Sequence, residues 1–446
     1  MKMDSLRTPL PQDIEILKQN GQFELVNEMI DLRLKKDIPN ALKERLLLEK
    51  EILKEYPKAF IYTKEQAIAL IQSHIIDFSE EEFDELFKES AFEFIFDHGT
   101  MKFKDDIYDN LVKVHLDYRN RSDEMPQDDT ILEQTIQELI DENEMKVKIH
   151  VRLSLKVAKE DQIPGKVIRV WIPIPVEYSQ VEDLKILSYT QGGIVNDNTV
   201  NHRSIYFECV YQEDMEFFVE YEFINHVIYH DLDASICFDD GKDFYLEEVE
   251  PHYVFTTYLK QLCAQIIGDE TNPLLKAKKI YDYITSHVTY SFVPAYCTLP
   301  SIPEFVATSL KGDCGVQASL FITLCRIAHI PSRWQAGLYA HPQMIGNHDW
   351  AQFYVAPYGW LYADCSFGGR GYREHSDLRR NFYFGNIDPY RIPSARGVLQ
   401  PLEPDKTFMR KDPYDHQTGE MEYIDQVINP DSVLSNLEII EIKKVG

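Results

Sequence analysis

From about residue 11 to 142, apolar residues recur at three- and four-residue spacing, the repeat of a helix with one buried face. ALKERLLLEKEILKEY and KDDIYDNLVKVHLDY are the plainest such runs. Pro39, Pro57, the Asp97-His98-Gly99 tripeptide and the stretch RNRSDEMPQDD break the pattern. Thr63 opens T-K-E-Q and Ser79 opens S-E-E-E, and each predicts a capping box at a helix start. Near residue 146 the period changes to two. MKVKIHVRLSLKV alternates polar and apolar positions, and KVIRVWIPIPVE, RSIYFECVY and EFFVEYEFINHVIYH follow with turn-like GG and NDN groups between them. Several strands without a long helix predict a β-sandwich-like module ending near residue 232. Pro173 and Pro175 lack the amide proton that an interior strand donates, so their strand is expected to lie at an edge or to end early.

From about residue 250 the pattern is mixed. NPLLKAKKIYDYITSHV predicts a helix starting near Asn272 with Pro273 in its first turn. A cysteine-bearing helix, a strand-rich stretch and a turn-rich tail follow, and the last apolar run, LEIIEIKK, can add a strand. The expected class is α+β. A helical N-terminal domain is expected over 1–145, a β-sandwich-like accessory domain over 146–235, a mixed core over 236–396, and a C-terminal extension packed on the body over 397–446. A chain of 446 residues exceeds what one ordinary core organises.

Charge narrows the partners. With 46 Lys+Arg against 74 Asp+Glu the formal net charge is −28. Such a surface repels nucleic-acid phosphates and anionic lipid, so neither a nucleic acid nor a membrane is expected as partner. No apolar run reaches the roughly 18 residues of a membrane helix, and MKMDSLRTPLPQDIEILKQN lacks the apolar centre of a signal peptide. The seven cysteines are odd in number, scattered and without a C-x-x-C pair, which fits reduced thiols and a cytoplasmic protein. No H-E-x-x-H or comparable ligand spacing occurs, and no metal or cofactor is expected.

Chemistry concentrates in KGDCGVQASLFITLCRIAHIPSRW. Gly312 and Gly315 flank Asp313-Cys314, and Val316, Leu320, Phe321, Leu324 and Ala328 then follow helical spacing as far as Pro331. Cys314 thus falls in the first turn of a buried helix, where the positive end of the helix dipole favours a thiolate and free N–H groups can meet an oxyanion. Asp313 beside it suits a helix cap. Cys325, further along the same helix, and Cys365 read as packing residues, and Cys297 falls in the loop before the cysteine block.

An acid/base partner comes from GNHDWAQFYVAPYGWLYADCSFGG. The runs DWAQFYV and GWLYADC flank Ala356-Pro357-Tyr358-Gly359, a hairpin turn by composition. Antiparallel pairing across it brings His348 and Asp364 together, so the carboxylate can orient an imidazole that exchanges a proton with Cys314. Asp349 is expected on the opposite side of its strand from His348.

The blocks GDCG, NHDWAQFYV and GWLYADCSFGG together resemble the core of the transglutaminase-like superfamily, in the order Cys, His, Asp. HVTYS, with Tyr290, resembles the segment that precedes the cysteine block, and the likeness spans about residues 250–396. The resemblance, closest to bacterial multi-domain proteins, implies a papain-like core: Cys314 on a helix, His348 and Asp364 on adjacent strands. Besides the Cys314 backbone N–H, Tyr290 is the side-chain oxyanion candidate. Trp350, Tyr296 and Arg391 are candidates for the substrate pocket, with an internal Arg391–Asp388 ion pair as the other reading of FGNIDPYRIP. The implied activity is thiol-dependent acyl transfer on amide or peptide bonds of a peptide or protein. Hydrolysis is the expected outcome, since a water-exposed thioester hydrolyses by default. The alternatives are a protein-glutamine γ-glutamyltransferase and a non-catalytic binding or scaffold protein that keeps the fold.

Overall fold

A computed structural model describes residues 3–123, 130–411 and 413–445. The class is α+β, and the chain divides into two compact units.

The smaller unit comprises Met1–Asp129, Glu248–Val254 and Val288–Asp313. Helices Gln12–Gln19, Phe23–Leu34 and Asn40–Glu55 bury Ile14, Val26, Ile30, Leu46 and Leu53 against one another. A second core gathers Ile71, Phe78, Phe83, Phe92, Phe103 and Leu111. Thr63 and Ser79 both form reciprocal capping boxes, with Gln66 and Glu82 respectively, satisfying the amides that open Lys64–His74 and Glu80–Lys88. A three-stranded sheet, Phe60–Tyr62, Thr100–Lys104 and Phe94–Asp97 in that order, lies within this otherwise helical region. Strands this short carry too few alternations to be read against a helical background. Their one sequence trace is Asp97-His98-Gly99: His98 and Gly99 both adopt positive φ, the requirement of a two-residue hairpin turn. The break at RNRSDEMPQDD lies partly outside the described residues.

The larger unit comprises Thr130–Glu247, Phe255–His287 and Cys314–Gly446. It contains two four-stranded antiparallel sheets and one of five strands. Strands Glu144–Val157 and Glu216–Ile228 alternate buried and open positions, as period two requires, broken only at the buried Ser154. Across the gap between the four-stranded sheets Phe207 packs on Phe217 with ring centroids 5.5 Å apart. The C-terminal region supplies one strand to each: Glu420–Tyr423 pairs with Val167–Pro173, and Val433–Lys444, which holds LEIIEIKK, pairs with Glu144–Val157. Val167–Pro173 is therefore an interior strand. It tolerates its proline because it stops there, with Pro173 opposite Ser204 as the last pair.

The five-stranded sheet runs Phe384–Gly385, Gly359–Ala363, Met344–Val355, Ser332–His341, Arg391–Arg396, all antiparallel. Helix Cys314–Ile327 packs on it, buried from Gly315 through Arg326, with Phe321 against Phe353 at 5.6 Å. Helix Pro273–His287 begins where Asn272 accepts the amides of Leu274 and Leu275. The residues expected as one mixed core, 236–396, are shared between the two units.

Candidate active site

Cys314 opens its helix and is partly exposed. Its thiol donates to Asp349 Oδ2 at 3.5 Å. The other oxygen of that carboxyl accepts from Gln417 Nε2 at 2.7 Å, and the same nitrogen donates to the His348 carbonyl at 3.2 Å. Cys263, Cys325 and Cys365 are enclosed, unlike Cys314; burial pushes the Cys325 and Cys365 thiols well up and raises Cys263 to about 11.

Strand Met344–Val355 sorts its side chains by alternation. Asp349 shares a face with Ala351 and Phe353, the face that meets the cysteine helix. His348 shares the other with Trp350, the two rings 5.9 Å apart. The register pairs Ala351 with Ala363, so Asp364, one residue past strand Gly359–Ala363, emerges on the His348 face. Its Oδ2 meets His348 Nε2 at 2.7 Å.

That carboxyl has further anchors. Asp364 is the N-cap of helix Cys365–Arg373, its Oδ1 accepting from the Phe367 amide and the Ser366 hydroxyl, both at 3.0 Å. Oδ2 also accepts from Arg391 Nη1 at 2.9 Å. Arg391 in turn pairs with Asp388, which accepts from Tyr383 at 3.0 Å. Gly337 makes the arrangement possible. It lies opposite His348, and a Cβ there would stand 1.9 Å from the Ile392 carbonyl oxygen, so only glycine lets strand Arg391–Arg396 come this close.

The electrostatics follow from burial and one fixed cation. Burial lowers the His348 imidazole below the usual histidine range and outweighs the pull of Asp364. Burial alone would raise Asp364. Attraction to His348 and Arg391, with hydrogen bonds from His348 and Phe367, instead holds it far below the carboxylate range. With the imidazole neutral, Arg391 is the permanent charge that keeps Asp364 ionised. An ionised Asp364 can only accept, which assigns the proton to Nε2 and leaves Nδ1 with its lone pair.

The other candidates have these surroundings. Arg391 is fully buried between Asp364 and Asp388, so it presents no surface to a substrate; the internal ion pair describes it. Trp350 is also fully buried, its indole N–H given to Gln335. Tyr290 and Tyr296 belong to the smaller unit. Tyr290 lies beneath the Lys113 ammonium, 5.4 Å from the ring centre, and Tyr296 donates to Asp313 at 2.5 Å. Among the described residues no group of three or more His, Cys, Asp or Glu side chains is arranged to hold a metal ion. Sequence reasoning placed Asp349 on the correct side of its strand without finding the sulfur there. Gln417 carried no signal, since a glutamine in a turn-rich tail belongs to no motif.

Residues 260–365 match the model of the transglutaminase-like superfamily. The chain therefore carries a transglutaminase-like domain, one found in thiol-dependent enzymes, and Cys314, His348 and Asp364 all fall inside it. A protein of Haemophilus influenzae, described only as uncharacterized, is 24% identical over 237 residues, which is 44% of this chain and 63% of that protein. The match thus spans less than two thirds of that relative. Among solved structures, a proposed cysteine protease from Cytophaga hutchinsonii is 18% identical with a TM-score of 0.42, covering 68% of this chain and 92% of its own. The periplasmic domain of TgpA from Pseudomonas aeruginosa is 11% identical with a TM-score of 0.28, covering 52% and 92%. None of the three is close enough to carry a residue or a reaction across. No helix among the described residues is long and apolar enough to cross a membrane.

Proposed function

We propose that this protein is a thiol-dependent acyl-transfer enzyme that opens amide or peptide bonds through a thioester on Cys314 and resolves it with water. The Cys314 sulfur attacks the carbonyl and its proton passes to His348 Nδ1, a transfer that requires the thiol to leave Asp349, which it touches at rest, and come within reach of the imidazole. The imidazolium, supported by Asp364, returns that proton to the departing amine as the C–N bond breaks. Water, deprotonated by His348, then splits the thioester into a carboxylic acid and the free thiol. First-turn amides at Cys314 are the donors for the tetrahedral oxyanion. The observation that carries this reading is the 2.7 Å bond between His348 and Asp364, locked by Arg391, on the strand whose next residue touches the Cys314 sulfur. A neutral imidazole at neutral pH, which burial favours, is what a general base needs.

The substrate is a peptide or protein amide, and the compartment a reducing one such as the cytoplasm, in keeping with seven cysteines free of disulfides. The test is mass spectrometry of the purified protein with a mixed library of peptides and glutamine amides, with and without an added amine. Cleaved peptides support hydrolysis. A gain of about 1 Da means deamidation by the same thioester chemistry. Amine adducts in place of hydrolysis would replace this reading with a γ-glutamyltransferase, and an unchanged library would leave a non-catalytic binding protein.

A further inference from the structure

The mechanism uses Cys314, His348 and Asp364 but not the carboxyl that the sulfur touches. Asp349 is 4% exposed. One of its oxygens receives the Cys314 thiol at 3.5 Å, the other the Gln417 amide at 2.7 Å. Gln417 is likewise 4% exposed, and its nitrogen spans both the Asp349 side chain and the His348 main chain. One amide from the C-terminal region thus ties down the segment 348–349 that bears both groups.

We propose that Asp349 is a positioning residue for the nucleophile: clamped by Gln417, it receives the S–H of Cys314 and holds the thiol protonated and aimed until a substrate is bound. This deepens the proposed function and rests on Cys314 being its nucleophile. The physics has two opposing parts. The helix start favours the thiolate. A carboxylate in contact with the sulfur favours the thiol, because it accepts from S–H and repels S⁻. The charged or titratable groups near the sulfur include Asp313 directly before Cys314, with Tyr296 bonded to it, Asp349 and His348 on the strand, and Asp364 with Arg391 behind His348; Gln417 is neutral. Asp349 is the carboxylate hydrogen-bonded to the sulfur, and it checks the helix. A resting thiol guarded this way resists oxidation and stray alkylation, and is released when a bound substrate draws the sulfur from the carboxylate.

The full-length protein and its variants are treated with iodoacetamide at one neutral pH, and Cys314 alkylation is followed by peptide mass spectrometry. Asp349→Asn keeps the shape, removes the negative charge and can turn an N–H toward the sulfur. Its Cys314 should alkylate about tenfold faster at an unchanged melting temperature. Gln417→Ala, which unclamps the carboxyl, should move the rate the same way by a smaller factor, about threefold, and serves as the second variant should Asp349→Asn fold poorly. Faster labelling in a protein that melts normally is a response a purely structural role would not give. Rates within twofold of the parent in both variants would overturn the proposal while leaving Cys314 as nucleophile. Should the parent's labelled residue not be Cys314, the nucleophile reading and this inference fall together.

Discussion

His348 and Asp364 are sixteen residues apart in the chain and 2.7 Å apart in space. The hairpin sets the pairing of their strands, alternation sets the face, and the helix that follows holds the carboxyl by its cap. Asp364 thus has its direction set by a strand and its rotamer set by a helix start. Replacing it with asparagine removes the ionised acceptor that selects the Nε2–H tautomer. Asp364→Asn should lower kcat about 10³- to 10⁴-fold, measured on whichever amide the library test identifies.

Arg391 should matter for stability first. It is enclosed between Asp364 and Asp388, so Arg391→Met leaves two buried carboxyl groups without a cation. Breaking a buried ion network on one side costs about 3–5 kcal/mol. A thermal or urea melt should show a loss of that size, partly recovered by adding Asp388→Asn. A variant that melts like the parent would contradict the assignment.

Acid should loosen the larger unit in a stated order. The folded-state values of His348 and Asp364 are both depressed, so the unfolded chain binds their protons first on acidification. Stability is complete above the unfolded value and falls as pH drops below it, from about 6.5 for the histidine and from about 4 for the aspartate. The urea midpoint should therefore decline from pH 7 to 5, less steeply in His348→Gln. Equal slopes for the two proteins would count against a buried neutral imidazole.

The smaller unit should respond to pH with the opposite sign. Both carboxyl oxygens of Glu93 are buried without a hydrogen-bond partner, and burial pushes the group up to about 7. A raised carboxyl stabilises the fold fully below its ordinary value and loses that contribution as pH rises through about 7. Glu93→Gln should stabilise this unit at pH 8 by about 1–3 kcal/mol and have little effect at pH 5, as read by amide hydrogen exchange over residues 60–112.

Gly337 tests whether close strand approach places the ion network. Gly337→Ala drives a Cβ into the Ile392 carbonyl, so Arg391–Arg396 must move away. Turnover should fall at least tenfold, with a melting temperature several degrees lower. Unchanged turnover would show that the distance between these strands is not what positions Arg391.

Much of this was legible because local signals agreed. The cysteine helix announced itself by its glycines and spacing, the hairpin by its turn, and both capping boxes by four-residue patterns. What was not legible depended on long-range neighbours. Nothing local says that Arg391 would be sealed between two aspartates, or that Gln417 would return to grip residues 348 and 349. Strands of three to five residues, such as Phe60–Tyr62 and Thr100–Lys104, exist because partners pair with them, and their sequences hold too few positions to display a period.

The most direct measurement is to trap the acyl group. The protein is mixed with a chromogenic acyl amide, quenched in acid, and mapped by peptide mass spectrometry. An acyl adduct on Cys314 alone is expected in the parent, with none in Cys314→Ala and formation at least a hundredfold slower in His348→Ala. Acyl groups spread over several cysteines, or an adduct rate indifferent to His348, would contradict the assignment of sulfur and base.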